Sequence, residues 1–186
     1  MKDRIRREIE ASAEAKRSLK VEDIAAAAGL ITPALKSGGK VLLCGNGGSA
    51  ADCQHIAAEM VGRFKRERKP MQAIALTTDT SILTALTNDY GGDVIFSRQV
   101  EALGGSGDVL IAISTSGSSP NILKAVDAAR GRGMKVVGFT GAKGRKLKEK
   151  SDVCITVDSE DTPRIQEAHI TAAHIICGLI EDSLFT

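Results

Sequence analysis

The chain has 186 residues, a length that fits one domain or slightly more. Hydrophobic residues make up 42% of it and charged residues 26%, as in a globular protein with a sizeable core. The net charge of +2, the absence of Trp and the single Tyr argue against a nucleic-acid-binding protein, which usually has a basic excess or stacking aromatic residues.

Cysteine usage and hydropathy predict a cytoplasmic protein that does not contact a membrane. The four cysteines are Cys44, Cys53, Cys154 and Cys177. No two of them form a C-x-x-C pair, which indicates reduced core thiols in a reducing compartment. Residues 1–20 lack the apolar core of a signal peptide, and no run of 18 apolar residues occurs.

Two helices are predicted before the first strand. Residues 3–18 carry a thin apolar stripe that includes Ile5 and Ile9, so we expect an amphipathic helix that packs on the main domain or on a partner subunit. A second helix is predicted over residues 21–35, and Gly38-Gly39 ends it.

Five short apolar segments then alternate with helical segments. The predicted strands are 40–44, 71–77, 108–113, 134–140 and 152–157. The predicted helices are 50–63, 120–132 and 163–184, with two more between the second and third strands, broken at Gly91-Gly92. This order predicts a three-layer α/β/α fold with a five-stranded parallel, flavodoxin-like sheet. Ligands bind such sheets beyond the carboxyl ends of the strands.

The loop after the first strand is rich in glycine. Gly45-Asn-Gly-Gly-Ser-Ala50 lets the backbone approach a ligand, and the following helix N-terminus favours an anion. Ser49 is placed to cap that helix or to donate a hydroxyl to substrate. A tight turn without a ligand is one alternative. A dinucleotide fingerprint is another, although Asp79 comes later than the acidic residue that this motif expects about 20 positions onward.

The loop after the third strand carries five hydroxyl side chains. Ser114-Thr-Ser-Gly-Ser-Ser119 is followed by Pro120, which suits a first helical turn. Hydroxyls and free N–H groups at this point predict a phosphate-binding loop without a lysine. The segment does not match the P-loop pattern. It could be only a polar connector, but it has more hydroxyls than helix capping requires.

Two helices carry candidate acid–base groups. His55 and Glu59 share a helix face, a spacing that alone more often indicates a surface ion pair. Gln166 and His174 lie roughly 80° apart around their helix and roughly 12 Å apart along it, so spacing does not make them one site. A buried core histidine is the default interpretation of His174. These residue types could nevertheless serve enediol proton transfer or hold a divalent metal.

Two basic segments, 63–69 and 143–150, are charge-rich. A solvated helix end or loop is the main interpretation of both, because the net charge is close to zero. Steering of an anionic ligand toward the site is the alternative.

In combination, GNGGSA, ISTSGSS and the late RIQEAH resemble the sugar isomerase (SIS) domain and, within it, the phosphoheptose isomerases. The resemblance extends from about residue 38 to the end. It implies a single SIS domain over residues 1–186, and a homotetramer with sites near subunit interfaces in which residues 1–37 help the assembly. It also implies conversion of sedoheptulose 7-phosphate to D-glycero-D-manno-heptose 7-phosphate for bacterial surface polysaccharide, without a nucleotide cofactor.

The same resemblance implies roles for individual residues. Glu59 would be the catalytic base and His174 its acid partner. Zinc would be held by His55, Glu59, Gln166 and His174. Substrate would be contacted by Asn46, Gly47, Ser49, Asp89, Ser114, Thr115, Ser116, Ser119 and Gln166. Arg164 would bind substrate or brace the start of the last helix.

A non-catalytic SIS module is the main alternative function, because one fold can host both activities. Such a module would sense a sugar phosphate or bind a protein, as a DnaA-associating relative does. That relative lacks the counterparts of His55, Glu59 and His174. This chain has all three, which favours catalysis.

Overall fold

The computed structural model describes residues 1–185, which form an α/β domain with two leading helices. The helices are α1 (Lys2–Arg17), α2 (Val21–Lys36), α3 (Gly48–Val61), α4 (Thr80–Tyr90), α5 (Ser97–Leu103), α6 (Pro120–Gly131), α7 (Arg145–Lys150) and α8 (Thr162–Leu184), with a 3₁₀ turn at Gly92–Val94. The strands are β1 (Val41–Gly45), β2 (Ala73–Ala75), β3 (Val109–Ile113), β4 (Lys135–Gly141) and β5 (Val153–Val157). Across residues 1–185, we find no helix with the length and apolar character needed to cross a membrane.

The five strands form one parallel sheet in the order β2-β1-β3-β4-β5. From β1 the chain moves outward to β2 and then returns to the other side of β1 at β3. The chain order therefore reverses between β1 and β3, which is the point where sheets of this kind bind ligands. Gly45 pairs with Ile113 in this register, so the loops that follow the two strands begin side by side.

Both faces of the sheet are covered by helices, which confirms the predicted three-layer fold. β1 and β3 are buried along their whole length. Alternate side chains enter opposite cores, so Leu43 packs with α2, α3 and α8 whereas Leu42 packs with α5, α6 and α7. This division follows from the two-residue period of a strand.

Two elements differ from the prediction. β2 is only three residues long, and at its predicted start Met71 donates its N–H to the carbonyl of Met60 on α3 instead of to a strand. The short helix α7 was not predicted as an element, since its residues are charged except for the buried Leu147. One buried apolar residue in six gives too little periodicity to identify a helix.

The cysteines are all buried and unpaired, as predicted for core thiols. Burial disfavours the thiolate and raises the pKa of Cys44 and of Cys177 to about 12, and that of Cys154 to about 11. These cysteines are therefore packing residues and not nucleophiles.

Candidate functional site

A cleft of about 250 Å³ opens at the reversal point of the sheet. It is lined by Asn46, Gly47, Gly48, Ser49, Ile113, Ser114, Thr115, Ser119, Thr162 and Gln166. The side chains of Asn46 and Asn121 exchange two hydrogen bonds of 2.9 Å, which join the loop after β1 to the start of α6. Asn121 was not a predicted site residue, because a lone Asn at the start of a helix gives no signal in the sequence.

The glycine-rich loop enters α3 through Gly47. This residue has φ +54° and occupies the N-cap position, where a side chain would be strained. Ser49 lies in the first turn of α3, is buried and faces the cleft. It makes no capping hydrogen bond, so the capping role that we considered is wrong.

The serine-rich loop lines the cleft with Ser114, Thr115 and Ser119. The Oγ atom of Ser114 lies 3.0 Å from that of Ser119 and 3.4 Å from that of Ser116, and accepts the N–H of Gly117 at 3.1 Å. Ser119 occupies the N-cap position of α6, but its side chain caps no backbone N–H. Pro120 has no N–H, and Ile122 and Leu123 donate theirs to the carbonyl of Ser119 at 3.1 and 3.0 Å. The hydroxyls and the positive end of the helix dipole are therefore the features here that suit a phosphate.

A smaller cavity of about 140 Å³ adjoins this loop. Its lining includes Thr115, Ser116 and Lys143, and Nζ of Lys143 is 2.5 Å from Oε2 of Glu160. Thr162, at the start of α8, borders both cavities. Lys143 is 72% exposed and paired with Glu160, which agrees with the solvated surface predicted for segment 143–150.

The acid–base candidates meet where α3 and α8 lie side by side. Nε2 of His55 is 3.1 Å from Oε1 of Glu59 and 3.2 Å from Nε2 of His174. His55 is about half exposed in this single chain and Glu59 is partly buried, at 47% and 24% side-chain exposure. His174 is partly buried as well, so it is not the core histidine that its apolar neighbours favoured.

The three side chains form a donor set that suits zinc. One ligand atom from each of His55, Glu59 and His174 lies within 4.8 Å of the other two. Imidazole nitrogen and carboxylate oxygen are both zinc ligands, and a tetrahedral zinc holds two nitrogens roughly 3.3–3.4 Å apart. The 3.2 Å between the histidine nitrogens matches that separation.

Gln166 is not at the histidine cluster of the same chain. Its amide lies against Gly48 at the start of α3, so closely that a Cβ on this glycine would clash with it. α3 and α8 therefore run in the same direction, with Gly48 beside Gln166 and His55 beside His174. Gln166 faces the cleft, about two helical turns from the cluster.

Comparison with known proteins identifies the family. The SIS domain model matches residues 6–141. A phosphoheptose isomerase from Rhodospirillum rubrum is 60% identical over 161 residues, which cover 87% of this chain and 86% of that protein. One from Thermodesulfovibrio yellowstonii is 53% identical, with coverage of 100% and 94%. The solved phosphoheptose isomerase of Neisseria gonorrhoeae superposes with a TM-score of 0.92 at 46% identity, covering 97% of this chain and 98% of that one.

The chain belongs to the phosphoheptose isomerase family. Its three sequence motifs map onto the geometry just described. The GNGGSA and ISTSGSS segments form the two walls of the cleft, and RIQEAH opens the helix that carries Gln166 and His174.

Two further residues suggested by the phosphoheptose isomerase resemblance lie outside the cleft lining. Asp89 is exposed on the last turn of α4 and accepts a 2.8 Å hydrogen bond from Asn88. Arg164 donates to the backbone carbonyl of Glu8 on α1 at 2.7 Å and pairs with Glu167 at 2.9 Å. Arg164 thus makes bracing contacts at the start of α8, one of the two roles that we considered for it.

The basic segment 63–69 was predicted to be a solvated helix end or loop. That interpretation was wrong for Arg68, which is buried. The side chains of Arg68 and Glu181 are 1% and 2% exposed, with Nε 3.0 Å from Oε2. Burial alone would raise the pKa of Glu181, but hydrogen bonds from the N–H groups of residues 64–66 and from Arg68 outweigh it and lower the pKa to about 2. A buried partner 113 positions away leaves no local sequence signal.

Proposed function

We propose that this protein converts sedoheptulose 7-phosphate to D-glycero-D-manno-heptose 7-phosphate, an aldose–ketose isomerisation in heptose biosynthesis. The convergence of Glu59, His55 and His174 from two helices carries the proposal, because a carboxylate and an imidazole are the base and acid that an enediol mechanism needs. The names of the close relatives favour this activity over a non-catalytic SIS module.

The proposed reaction moves one carbon-bound proton. The carboxylate of Glu59 removes a proton from C1 of the ketose while His174 donates a proton to the C2 oxygen, which gives the enediol. His174 then takes the proton of the C1 hydroxyl and Glu59 returns its proton to C2, which gives the aldose. Each group ends in the state in which it began, so no external oxidant, reductant or nucleotide cofactor is needed.

The phosphate would be bound by the serine-rich loop. Ser114, Thr115, Ser116 and Ser119 offer hydroxyls beside the N-terminus of α6, which favours an anion. The sugar would contact Asn46, Gly47, Ser49, Asp89 and Gln166. Binding the remote phosphate positions the reacting carbons, which lowers the entropic part of the barrier.

We further propose that zinc binds His55, Glu59 and His174, with Gln166 as a fourth ligand. Bound zinc would polarise the substrate carbonyl and so take over the part that the His174 proton plays in the metal-free protein, because an imidazole nitrogen that holds zinc carries no proton. Because Gln166 of the same chain lies against Gly48, the fourth ligand would come from a second copy of the chain.

We also propose that the protein is a homotetramer with sites near the subunit interfaces. Residues 1–186 would form a single SIS domain, and residues 1–37 would help the assembly. Ile175, next to His174 on α8, and Leu179, one turn further along, are 45% and 42% exposed. Ile5 and Ile9 on α1 are 52% and 64% exposed. Large apolar side chains exposed beside a site favour coverage by another subunit.

The four unpaired cysteines support a reducing compartment, and we propose the cytoplasm.

The test is to incubate the purified protein with sedoheptulose 7-phosphate, with and without added zinc, and to follow formation of the aldose. We expect turnover, with higher rates when zinc is present. Tight binding of the sugar phosphate without turnover in either condition would overturn the enzyme assignment and support a sensing module.

A further inference from the structure

Arg68 and Glu181 form a buried ion pair behind the proposed catalytic cluster. Glu181 lies on α8, two turns beyond His174, and Arg68 lies on the segment that follows α3. Neither residue touches the cleft lining, and neither is needed for the chemistry proposed above. A buried ion pair is weak evidence for stability alone, because desolvation offsets most of the attraction between the charges.

The guanidinium of Arg68 binds the C-terminal end of α3. Its Nη2 donates to the carbonyl of Glu59 at 2.6 Å, and its Nη1 donates to those of Met60 and Gly62 at 2.8 and 3.1 Å. These carbonyls have no N–H partner within the helix, so the contact caps α3. It also holds the backbone of the residue proposed as the base.

The carboxylate of Glu181 binds the segment that leaves α3. It accepts the backbone N–H groups of Phe64, Lys65 and Arg66 at 3.1, 2.9 and 2.7 Å. Three backbone donors in succession fix the path of this segment relative to α8. The ion pair thus joins α3, the segment and α8, the three parts of the chain that surround the cluster.

The fixed segment places an aromatic ring on the proposed acid. The ring of Phe64 stacks on that of His174, with centroids 5.6 Å apart and planes at 28°. His174 is also held by His55, whose centroid lies 5.0 Å away. Gly178, one turn beyond His174, lies beside the phenyl ring, and a Cβ there would be in van der Waals contact with it at 3.4 Å.

We propose that Arg68 and Glu181 are positioning residues for the isomerase reaction: they set the separation of Glu59 and His174 and hold Phe64 against the imidazole. This inference rests on the proposed function. A displacement of about 1 Å at reacting groups can cost on the order of 10²-fold in rate, so a pair that only positions can still control turnover.

Kinetics of Glu181→Gln give the first test, with Asp182→Asn as the matched control. Asp182 also joins α8 to the segment, through Arg66 at 3.0 Å, but that pair is exposed. Well below the unfolding temperature, we expect Glu181→Gln to lower kcat about 10–100-fold with KM within about threefold, and the control to lie near wild type. Equal losses in the two variants would overturn the proposal.

Histidine NMR gives a second readout that does not depend on the identity of the substrate. The chain has three histidines, and His169 is buried on α8 against Phe139, away from the segment. With ¹³C-labelled histidine, we expect Glu181→Gln to shift the ring signals of His174, as the stacked phenyl moves, and to leave those of His169 in place. A lowered unfolding temperature with unchanged kcat and unmoved His174 signals would show a purely structural pair and overturn the proposal.

Arg68→Lys covers the case in which Glu181→Gln does not fold. Lysine keeps the charge opposite Glu181 but cannot reach the several carbonyls that the guanidinium fork binds. We expect a smaller loss in kcat and a His174 shift in the same direction, and wild-type values for both would overturn the proposal. Wild-type protein that fails to turn over the heptulose phosphate would refute the proposed function instead, while the NMR comparison would still test the positioning.

Discussion

Glu59 is the residue on which the proposed proton transfer depends most directly. Glu59→Gln keeps the size of the side chain and a hydrogen-bonding oxygen beside His55, but removes the base. Loss of a positioned base should lower kcat by roughly 10²–10⁴-fold, measured by aldose formation. Glu67→Gln is the matched control, because Glu67 is 92% exposed on the neighbouring segment. Near-normal turnover of Glu59→Gln would remove Glu59 from the base role.

His169 makes stability depend on pH. Burial lowers its pKa from 6.5 to about 4, and the 3.1 Å contact with the carbonyl of Thr140 only partly opposes this. The unfolded chain takes up the proton at higher pH than the folded one. The contribution of neutral His169 to stability is therefore complete above pH 6.5 and is lost as the pH falls through about 4.

Thermal unfolding from pH 7 to pH 4 tests this effect. His169→Gln keeps a donor for the Thr140 carbonyl and removes the titration. We expect the unfolding temperature of the wild type to fall more steeply across this range than that of the variant. Parallel curves would show that His169 is not the group responsible.

Individual site residues differ in how far the sequence could predict them. Ser114 and Ser119 were predictable, because a hydroxyl-rich loop after a buried strand has few structural uses. His174 was ambiguous, since apolar neighbours on a helix suit a core histidine as well as a site. Asn121 could not be predicted, because its placement depends on a contact with Asn46 that no local pattern reveals.

The contact between α3 and α8 is close at Gly48. A methyl group here would meet the end of the Gln166 side chain, which can move aside, so Gly48→Ala should change the free energy of unfolding little. It should nevertheless displace an amide from the cleft. We expect KM for the sugar phosphate to rise several-fold with the unfolding temperature within a few degrees of wild type. A large loss of stability with unchanged KM would contradict this account of Gly48.

Ala51, also on α3 but exposed, supplies the control position. Ala51→Ser alters the same helix away from Gln166 and should leave KM unchanged. If both variants raise KM alike, the effect belongs to α3 as a whole and not to the contact at Gly48.

Elements with strong periodicity were predictable, and those governed by distant contacts were not. All five strands and the long helices follow from apolar runs and glycine boundaries in the sequence. β2 begins later than predicted, since Met71 bonds to α3 instead of the sheet. The segment after α3 reads as a basic surface, yet Glu181 on the last helix determines its path.

At the scale of the whole molecule, the exposed apolar residues of the single chain indicate that subunits associate, but they do not give the number of subunits. Ile5 and Ile9 on α1 are exposed to solvent in the single chain. The apolar stripe of an amphipathic helix normally packs against another part of the protein, which favours a partner subunit at this surface. We expect the wild type to have about four times the 19.5 kDa chain mass by light scattering, and Ile9→Glu to shift the mass downward. Leu103→Glu, on the opposite face of the sheet, is the control for adding a charge to an exposed apolar residue. A monomeric wild type would contradict the proposed tetramer.

The sequence predicted the architecture of the whole chain, but it did not predict which site residues lie together. Alternating strands and helices determine the sheet and its ligand-binding edge. The site depends on which faces of α3 and α8 contact each other. The eight-residue separation of Gln166 and His174 on α8 does not determine that contact. The single chain brings together His55, Glu59 and His174 and leaves Gln166 at the cleft.

Turnover of sedoheptulose 7-phosphate by the wild type in deuterated water tests the central claim most directly. Proton transfer through an enediol predicts aldose product that carries deuterium at C2, because the transferred proton exchanges with solvent while it is held on the carboxylate. Aldose formation with solvent label at C2, lost in Glu59→Gln, is the predicted result. A folded, metal-supplied protein that forms no aldose and incorporates no deuterium would contradict the account.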